Sequence, residues 1–391
     1  MSKRPPWLFT NYESDTAILR TRVQKVWLVI ALVAAVALPF YLRSLSDGRS
    51  WLILFATAFV ASIGAIGLNL VTGYAGQVSL GHAFFIGIGA YVGTALSNPA
   101  VRAADGTLEL IGFELDMLIW LPLAGLAAAL AGILVAPVAF RLRGLYLALV
   151  TLGLVFLGEH IFRNWTALTG GVGQGRSAAR LSIFGYRFDL DSTVLGYSIT
   201  REQQIYLVAL VILVIMAFLA KNLVRSREGR AFTAIRDRDI AAAMMGVELI
   251  KYKTTAFAVS SFYAGIAGGL LFSITGFVEP TSFGLFLSIA YIAMVVIGGA
   301  ASISGSIMGA FLLTLLPKLI DLVRLPDLVD FLFGWVPGLG GGGVGEALST
   351  SQVERILFGV LIVVFLVFEP LGLYGIWIRI RNYWRAFPFS Y

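Results

Sequence analysis

Cysteine is absent from the 391 residues, which excludes disulfides, thiolate metal sites and cysteine nucleophiles. Charge is scarce: Asp, Glu, Lys and Arg make up 13% of the chain, roughly half of the ~25% usual in soluble domains. There are two histidines, His82 and His160, and the only carboxylate beside either is Glu159. That is too few ligands for a metal centre. No Gly-Lys pair occurs, so the glycine run at 340–345 is not a P-loop, and the chain carries no ATPase motif of that kind. A Ser-His-Asp assembly lacks both an acidic orienter and a nucleophile elbow. The N-terminus has no apolar core followed by a small-residue cleavage site, so residues 1–25 read as a retained cytoplasmic arm rather than a signal peptide.

What remains is apolar. Hydrophobic residues are 58% of the chain and the mean hydropathy is +0.87, the composition of an all-α, polytopic transmembrane helical bundle. Forty-three glycines fit helices whose backbones approach closely in lipid. A membrane-spanning helix needs about 20 mostly apolar residues. Such stretches fall near 26–42, 51–72, 80–97, 117–140, 144–163, 204–221, 254–275, 284–299, 305–324 and 355–374. About ten spans result, with both termini on one side and a permease domain over 26–376. The stretches 80–97 and 284–299 are short and border Gly-rich breaks.

Charge orients the bundle. Lys3, Arg4, Arg20, Arg22 and Lys25 lie in the arm, Arg141 and Arg143 in an inner turn, and Arg379, Arg381 and Arg385 in a basic tail at 377–391. Eight more lie in an island over 222–253 and its flank, while Asp105, Glu109, Glu114 and Asp116 fall on the opposite side. Positive residues inside place both termini in the cytoplasm. The net +7 and pI near 9.6 then reflect a cell-membrane (inner-membrane), multi-pass protein in a lipid bilayer, with no nucleic acid implied. Outer loops at 164–203 and 325–354 are long enough to expect a function such as receiving a partner.

Three motifs stand out. The first is the island. Ser226 could cap a turn, but 237–246 reads as the better helix, with Ile240, Ala243, Met244 and Val247 on one face and Gly246 ending it. Its apolar face suits a partner groove, with Arg236, Arg238 and Asp239 at the rim; a helix lying on the inner leaflet is the other reading. The second is GYAGQVSLGHAFFIGIGAYVG over 73–93. Its irregular start, with Gly76, Gln77, Ser79 and His82, is either a broken helix lining a translocation path or a tight turn before helix packing along Gly87, Gly89 and Gly93. The third is a fainter echo at 297–310, with Ser302, Ser304 and Ser306.

Residues 68–93, LNLVTGYAGQVSLGHAFFIGIGAYVG, resemble the signature of the branched-chain amino acid ABC transporter permease family. The island 229–270 is similar to that family's coupling loop and next span, LTGGVGQG at 168–175 to its outer TGG loop, and 356–373 to its final span. Together they run in family order from 51 to 374, and the long arm and the island resemble the M-type (LivM-type) subunit. The resemblance implies a permease heterodimer, two ATP-binding subunits that hold ATP and Mg, and an extracytoplasmic solute-binding protein. No cofactor is implied for this chain itself. It implies branched-chain amino acids as solute, with urea, short amides or another small polar solute as the alternative. Carried over by residue, Asp239, Ala241, Ala242 and Gly246 match the family's coupling motif; with Arg236 and Asp237 they make up the candidate ATPase-coupling segment, and Thr169, Gly170 and Gly171 a candidate outer loop. The sequence departs at Val172–Gly175, where the family commonly continues differently, around 298–305, which lacks a bulky aromatic, and in the extended stretch 325–350. These departures bear on the solute, not on the class. An ATP-independent channel or carrier ranks lower, because ion coupling would call for mid-span Asp, Glu or Arg.

Overall fold

The computed structural model describes residues 22–44, 47–102, 108–142, 144–194, 197–323, 359–360, 363–365, 367–369 and 371–386. Eleven helices of eight residues or more dominate these residues. They are α1 (Arg22–Leu42), α2 (Gly48–Asn69, continued by a π-helix over Leu70–Tyr74), α3 (His82–Ser97), α4 (Met117–Arg141) and α5 (Leu145–Asn164). After the single turn α6 (Thr166–Thr169) come α7 (Arg201–Arg225), α8 (Arg227–Met244), α9 (Leu249–Thr275), α10 (Leu285–Gly298), α11 (Ile303–Val323) and α12 (Gly372–Ala386).

Among the described residues six helices are long and apolar enough to cross a membrane, and His82–Ser97, Leu285–Gly298 and Ile303–Leu319 are shorter apolar helices. At 1.5 Å per residue, the 16-residue α3 and 14-residue α10 measure about 24 and 21 Å against a hydrocarbon core of ~30 Å. The expected spans at 80–97 and 284–299 are therefore short helices completed by irregular backbone. Most of the expected tenth span, the 325–354 loop and most of the 1–25 arm lie outside the described residues. Helix α12 runs through the expected domain boundary at 376, so the tail begins as a continuous helix there.

Burial separates centre from rim. The apolar windows of Leu249–Thr275 and Gly48–Tyr74 are 78% and 72% buried, while that of Lys25–Leu42 is 11% buried. Helix α9 packs against α4, α3 and α2, and α2 also packs against α11 and α7. Glycine allows the closest approaches. A Cβ built on Gly89 would lie 2.2 Å from the Gly265 carbonyl oxygen, and one on Gly268 would lie 2.0 Å from that of Ile86. Both obstacles are backbone, so nothing can rotate away. Gly89→Val is accordingly expected to force α3 and α9 apart and destabilise the protein by about 1–3 kcal/mol or more. Gly153→Val, where a Cβ meets nothing within 4 Å, should be neutral. Melting temperatures of the two variants in detergent check this; equal values would count against the glycine contact.

The two ends of the bundle differ. One end, which we call the basic end, carries α8. The other carries short antiparallel strand pairs: β1 (Val101–Arg102) with β2 (Leu108–Leu110), β4 (Ser182–Ile183) with β5 (Tyr186–Arg187), and β6 (Ser192–Val194) with β7 (Tyr197–Ile199). A further pair, β3 (Arg176–Ser177) with β8 (Phe277–Val278), is long-range: Arg176 faces Val278 and ties the long loop to the segment leaving α9.

Candidate functional site: a broken helix under the charged island

The charged island forms a longer helix than the sequence reading of 237–246. Ser226 does cap it: the hydroxyl accepts from the Glu228 and Gly229 N–H groups at 3.2 and 3.5 Å. The same hydroxyl holds the Glu228 carboxyl below the usual carboxylate range. Helix α8 then bends at Arg238, whose backbone is extended (φ −157°, ψ 98°). The expected helix is thus the second half of a kinked one.

The end of α8 is a Schellman turn. Gly246 sits at φ +83°, its N–H donates to the Ala243 carbonyl at 3.0 Å, and the Val247 N–H donates to Ala242 at 3.0 Å. These two bonds satisfy last-turn carbonyls that a helix otherwise leaves unpaired. Of the apolar face, Ile240 is 69% and Met244 86% exposed, and Met245 beside them is 86% exposed, whereas Ala242 is buried. Asp239 is half-buried, while Ala241 and Asp237 are exposed. The buried side of α8, including Phe232 and Ile235, faces the bundle.

That side rests on the break in the second motif. Arg236 donates to the Gly73 carbonyl at 3.2 Å and pairs with Asp237 at 2.9 Å. Gly76 is at φ +67°, and a Cβ on it would lie 2.8 Å from Arg236 Cγ. A cavity of about 200 Å³ opens here, with Gly76, Gln77, Arg236, Asp239 and Lys253 in its lining. The structure thus joins the island and the GYAGQVSLGH motif, which are distant in sequence.

The break itself is a re-entrant segment. The His82 ring lies against the Gly64 backbone and 5.0 Å from the Tyr291 ring, which also covers Gly64. So α3 begins level with Gly64, whereas α2 and its π-turn run on to Tyr74, about 15 Å further by helical rise. Residues 76–81 climb back over that distance outside any helix. Irregular backbone at this depth must be satisfied by protein, and hydroxyls on neighbouring helices supply acceptors. Thr151 of α5 accepts from the Leu80 N–H at 2.9 Å, and Ser288 of α10 accepts from the Ala83 N–H at 3.0 Å. Ser79 accepts from Gly81 at 3.3 Å, and the Gln77 side-chain amide donates to the Ala75 carbonyl at 3.2 Å. Gln77, Ser79 and His82 are all buried, and the His82 Nε2 has no partner.

The third motif is a second break. Gly299 (φ +117°) and Ala301 (φ +58°) turn the chain between α10 and α11, and the Ser302 hydroxyl accepts from the Gly305 N–H at 3.1 Å. Ser302 is buried and Ser304 exposed, with 3.2 Å between their hydroxyls. One residue clasps this turn to α2. Asn69 accepts from the Ala301 N–H at 2.8 Å and donates to the Ser302 carbonyl at 2.9 Å and the Ser306 hydroxyl at 2.7 Å. The sequence reading missed Asn69, Thr151, Ser288 and Tyr291. Each is an ordinary residue in an apolar run, and only the tertiary pairing gives it a role.

Thr169, Gly170 and Gly171 lie at the opposite end. The Thr169 hydroxyl donates to the Trp165 carbonyl at 3.0 Å, and Gly170 and Gly171 take φ +79° and +74°. A Cβ on Gly170 would lie 1.9 Å from the Gly175 carbonyl oxygen, so the loop closes on itself there. Arg176 follows, buried, and donates to the carbonyls of Leu168 at 2.9 Å, Thr94 at 3.2 Å and Ile111. Burial pushes its guanidinium down to about 10.

The chain matches, over residues 50–366, a family model described as a branched-chain amino acid transport system permease component. It is 33% identical over 334 residues to the high-affinity branched-chain amino acid transport system permease protein LivM of Escherichia coli K12, covering 80% of this chain and 74% of the relative. The LivM protein of Salmonella typhimurium LT2 matches at the same identity and coverage. The autoinducer 2 import system permease protein LsrC of Enterobacter sp. strain 638 is 28% identical over 329 residues, 82% of this chain and 85% of that one. No solved structure matches.

Proposed function

We propose that this chain, which belongs to the branched-chain amino acid transport permease family, is the membrane subunit of an ATP-driven importer. Family membership and the apolar helices make it a multi-pass membrane permease component; the importer role, solute and partners are the proposal. The observation that carries it is α8: a capped, kinked helix with Ile240, Met244 and Met245 exposed on one side and Arg236 seated on the helix break at Gly73 on the other. An exposed apolar face bounded by charge fits a groove on a separate protein, here the ATP-binding subunits. A push on that face reaches residues 73–76 with no intervening element.

In this reading two ATP-binding subunits hold ATP and Mg and close on each other. The coupling segment around Arg236, Asp237, Asp239, Ala241, Ala242 and Gly246 moves with them. The breaks holding Gly76, Gln77, Ser79 and His82, and Ser302 with Ser304, then change the path from inward-open to outward-open. A second permease subunit completes the pore. An extracytoplasmic solute-binding protein delivers leucine, isoleucine or valine near the Thr169–Gly171 end. The relatives named for branched-chain amino acid transport favour that solute.

The test is uptake of labelled leucine and labelled urea by cells with and without this chain, before and after ATP depletion. Loss of ATP-dependent leucine uptake is the expected result. Loss of urea uptake alone would keep the importer and replace the solute. Leucine uptake that depends on the chain but persists without ATP would overturn the importer reading in favour of a channel or carrier.

A further inference from the structure

At the end opposite α8, a cavity of about 390 Å³ lies between the outer ends of α3 and α9 and the long loop. Four arginines line it, Arg176, Arg180, Arg187 and Arg201, against one carboxylate, Asp189. They are gathered from β3, the following loop, β5 and the first turn of α7.

The arginines differ in how they are compensated. Arg187 is neutralised by a two-pronged contact with Asp189 at 3.1 and 2.6 Å. Among the described residues Arg180 pairs only with Glu114, at 3.8 Å, and the two side chains are 41% and 61% exposed. Arg201 donates to the Ser273 and Ile274 carbonyls, each at 3.3 Å, while Asp191 takes its backbone N–H at 2.7 Å. Arg176 is buried and bonded only to carbonyls. A cation taken from water and paired with neutral oxygens is costly, and two of them on one wall leave the cavity short of negative charge. The remaining wall includes Val101, Leu110 and Ala179, which offer apolar contact beside the cations.

We propose that this cavity is an entry site for a small aliphatic amino acid, taking its carboxylate on Arg180 and Arg201 and its side chain on the Val101–Leu110 wall. Arginine suits this role because its planar fork matches a carboxylate, and such bonds are the stronger charge-assisted kind. A neutral amide such as urea offers the two arginines a carbonyl oxygen but no charge, so the site favours carboxylate solutes over uncharged ones. The inference rests on the importer reading for its direction, solute entering from this end. Binding to the chain needs no ATP, so the two fail separately.

The experiment is equilibrium binding of labelled leucine to the full chain in lipid nanodiscs, with leucinamide as competitor. Leucinamide keeps the amine and side chain and lacks the carboxylate. Saturable leucine binding that leucinamide does not displace is expected. Arg180→Gln and Arg201→Gln should each weaken binding about tenfold or more, as loss of a charged hydrogen bond does. Arg180 is the surer variant, since its exposed side chain carries no structural hydrogen bond among the described contacts. The proposal is overturned by equal competition from leucinamide, by no saturable binding to the unaltered chain, or by unchanged affinity in Arg180→Gln. It is also overturned if free leucine binds both variants normally while delivery from a solute-binding protein falls, because the arginines then serve an acidic protein surface. ATP-dependent uptake in cells can stand through any of these results.

Discussion

Replacing Asn69 with leucine is expected to abolish transport and to lower stability by about 2–4 kcal/mol, the cost of leaving a buried donor unpaired and breaking the bonds around it. The side chains share the same branching and number of heavy atoms, so the change chiefly removes hydrogen bonds. Asn69 is 1% exposed, and its Oδ1 accepts from the Ala301 N–H. Its absence frees the turn at 299–302 from α2 at the level where the π-helix begins. Gly73 depends on the same clasp: a Cβ there would lie 1.9 Å from Asn69 Oδ1 and 2.5 Å from the Ala301 nitrogen. Asn69→Asp should also fail. It keeps an acceptor for Ala301 but turns a carboxylate toward the Ser302 carbonyl, where a donor stood. Ser306→Ala is the mild comparison, because Asn69 retains two of its three bonds. Melting temperature and leucine uptake, read together, decide the matter. Asn69→Leu with both at the unaltered level would remove the clasp from the argument.

Asn69 also shows where sequence reading stops. Its partners lie more than 230 positions away in the chain (|i−j| of 232 to 237), and within LNLV it reads as a polar interruption in a span. By contrast, the helical class, the charged island and the helix end at Gly246 were legible. Each depends on local properties: hydropathy over a window, charge density, and a glycine after an amphipathic run. The start of α8 was not, because Ser226 was weighed against a stronger apolar stripe nearer Gly246. Hydropathy also counted 80–97 and 284–299 as spans, short ones beside Gly-rich breaks. It measures transfer of side chains into lipid and is blind to whether the backbone is helical. Residues 75–81 are apolar enough to belong to a span, and the Thr151 hydroxyl of α5, which accepts from the Leu80 N–H, helps them to be extended. The four arginines of the outer cavity, spread over residues 176–201, gave no pattern in sequence. The hairpins and the β3–β8 pairing bring them to one wall.

Gly246→Pro is expected to eliminate ATP-driven uptake while leaving the protein inserted and stable. Proline is held near φ −65° and has no N–H, whereas Gly246 sits at φ +83° and donates to Ala243 at 3.0 Å. The substitution must therefore undo the Schellman turn and with it the Val247 bond to Ala242. The damage stays local, since a Cβ on Gly246 meets nothing within 4 Å and Met244 and Met245 are already exposed. The melting temperature should hardly move. Gly246→Asn, which tolerates a positive φ better than other side chains, should keep a large part of the uptake. Met244→Glu separates two ways of losing function. It leaves the turn intact but places a charge on the apolar face, so it should lose both association with the ATP-binding subunits and uptake. Gly246→Pro keeps that face and misdirects it, so association measured by co-purification should weaken less than uptake does. Normal uptake by Gly246→Pro would mean that the end of α8 does not carry the motor's movement. In that case the contact from Arg236 to Gly73 would have to be reached through the first half of α8, ahead of the bend at Arg238.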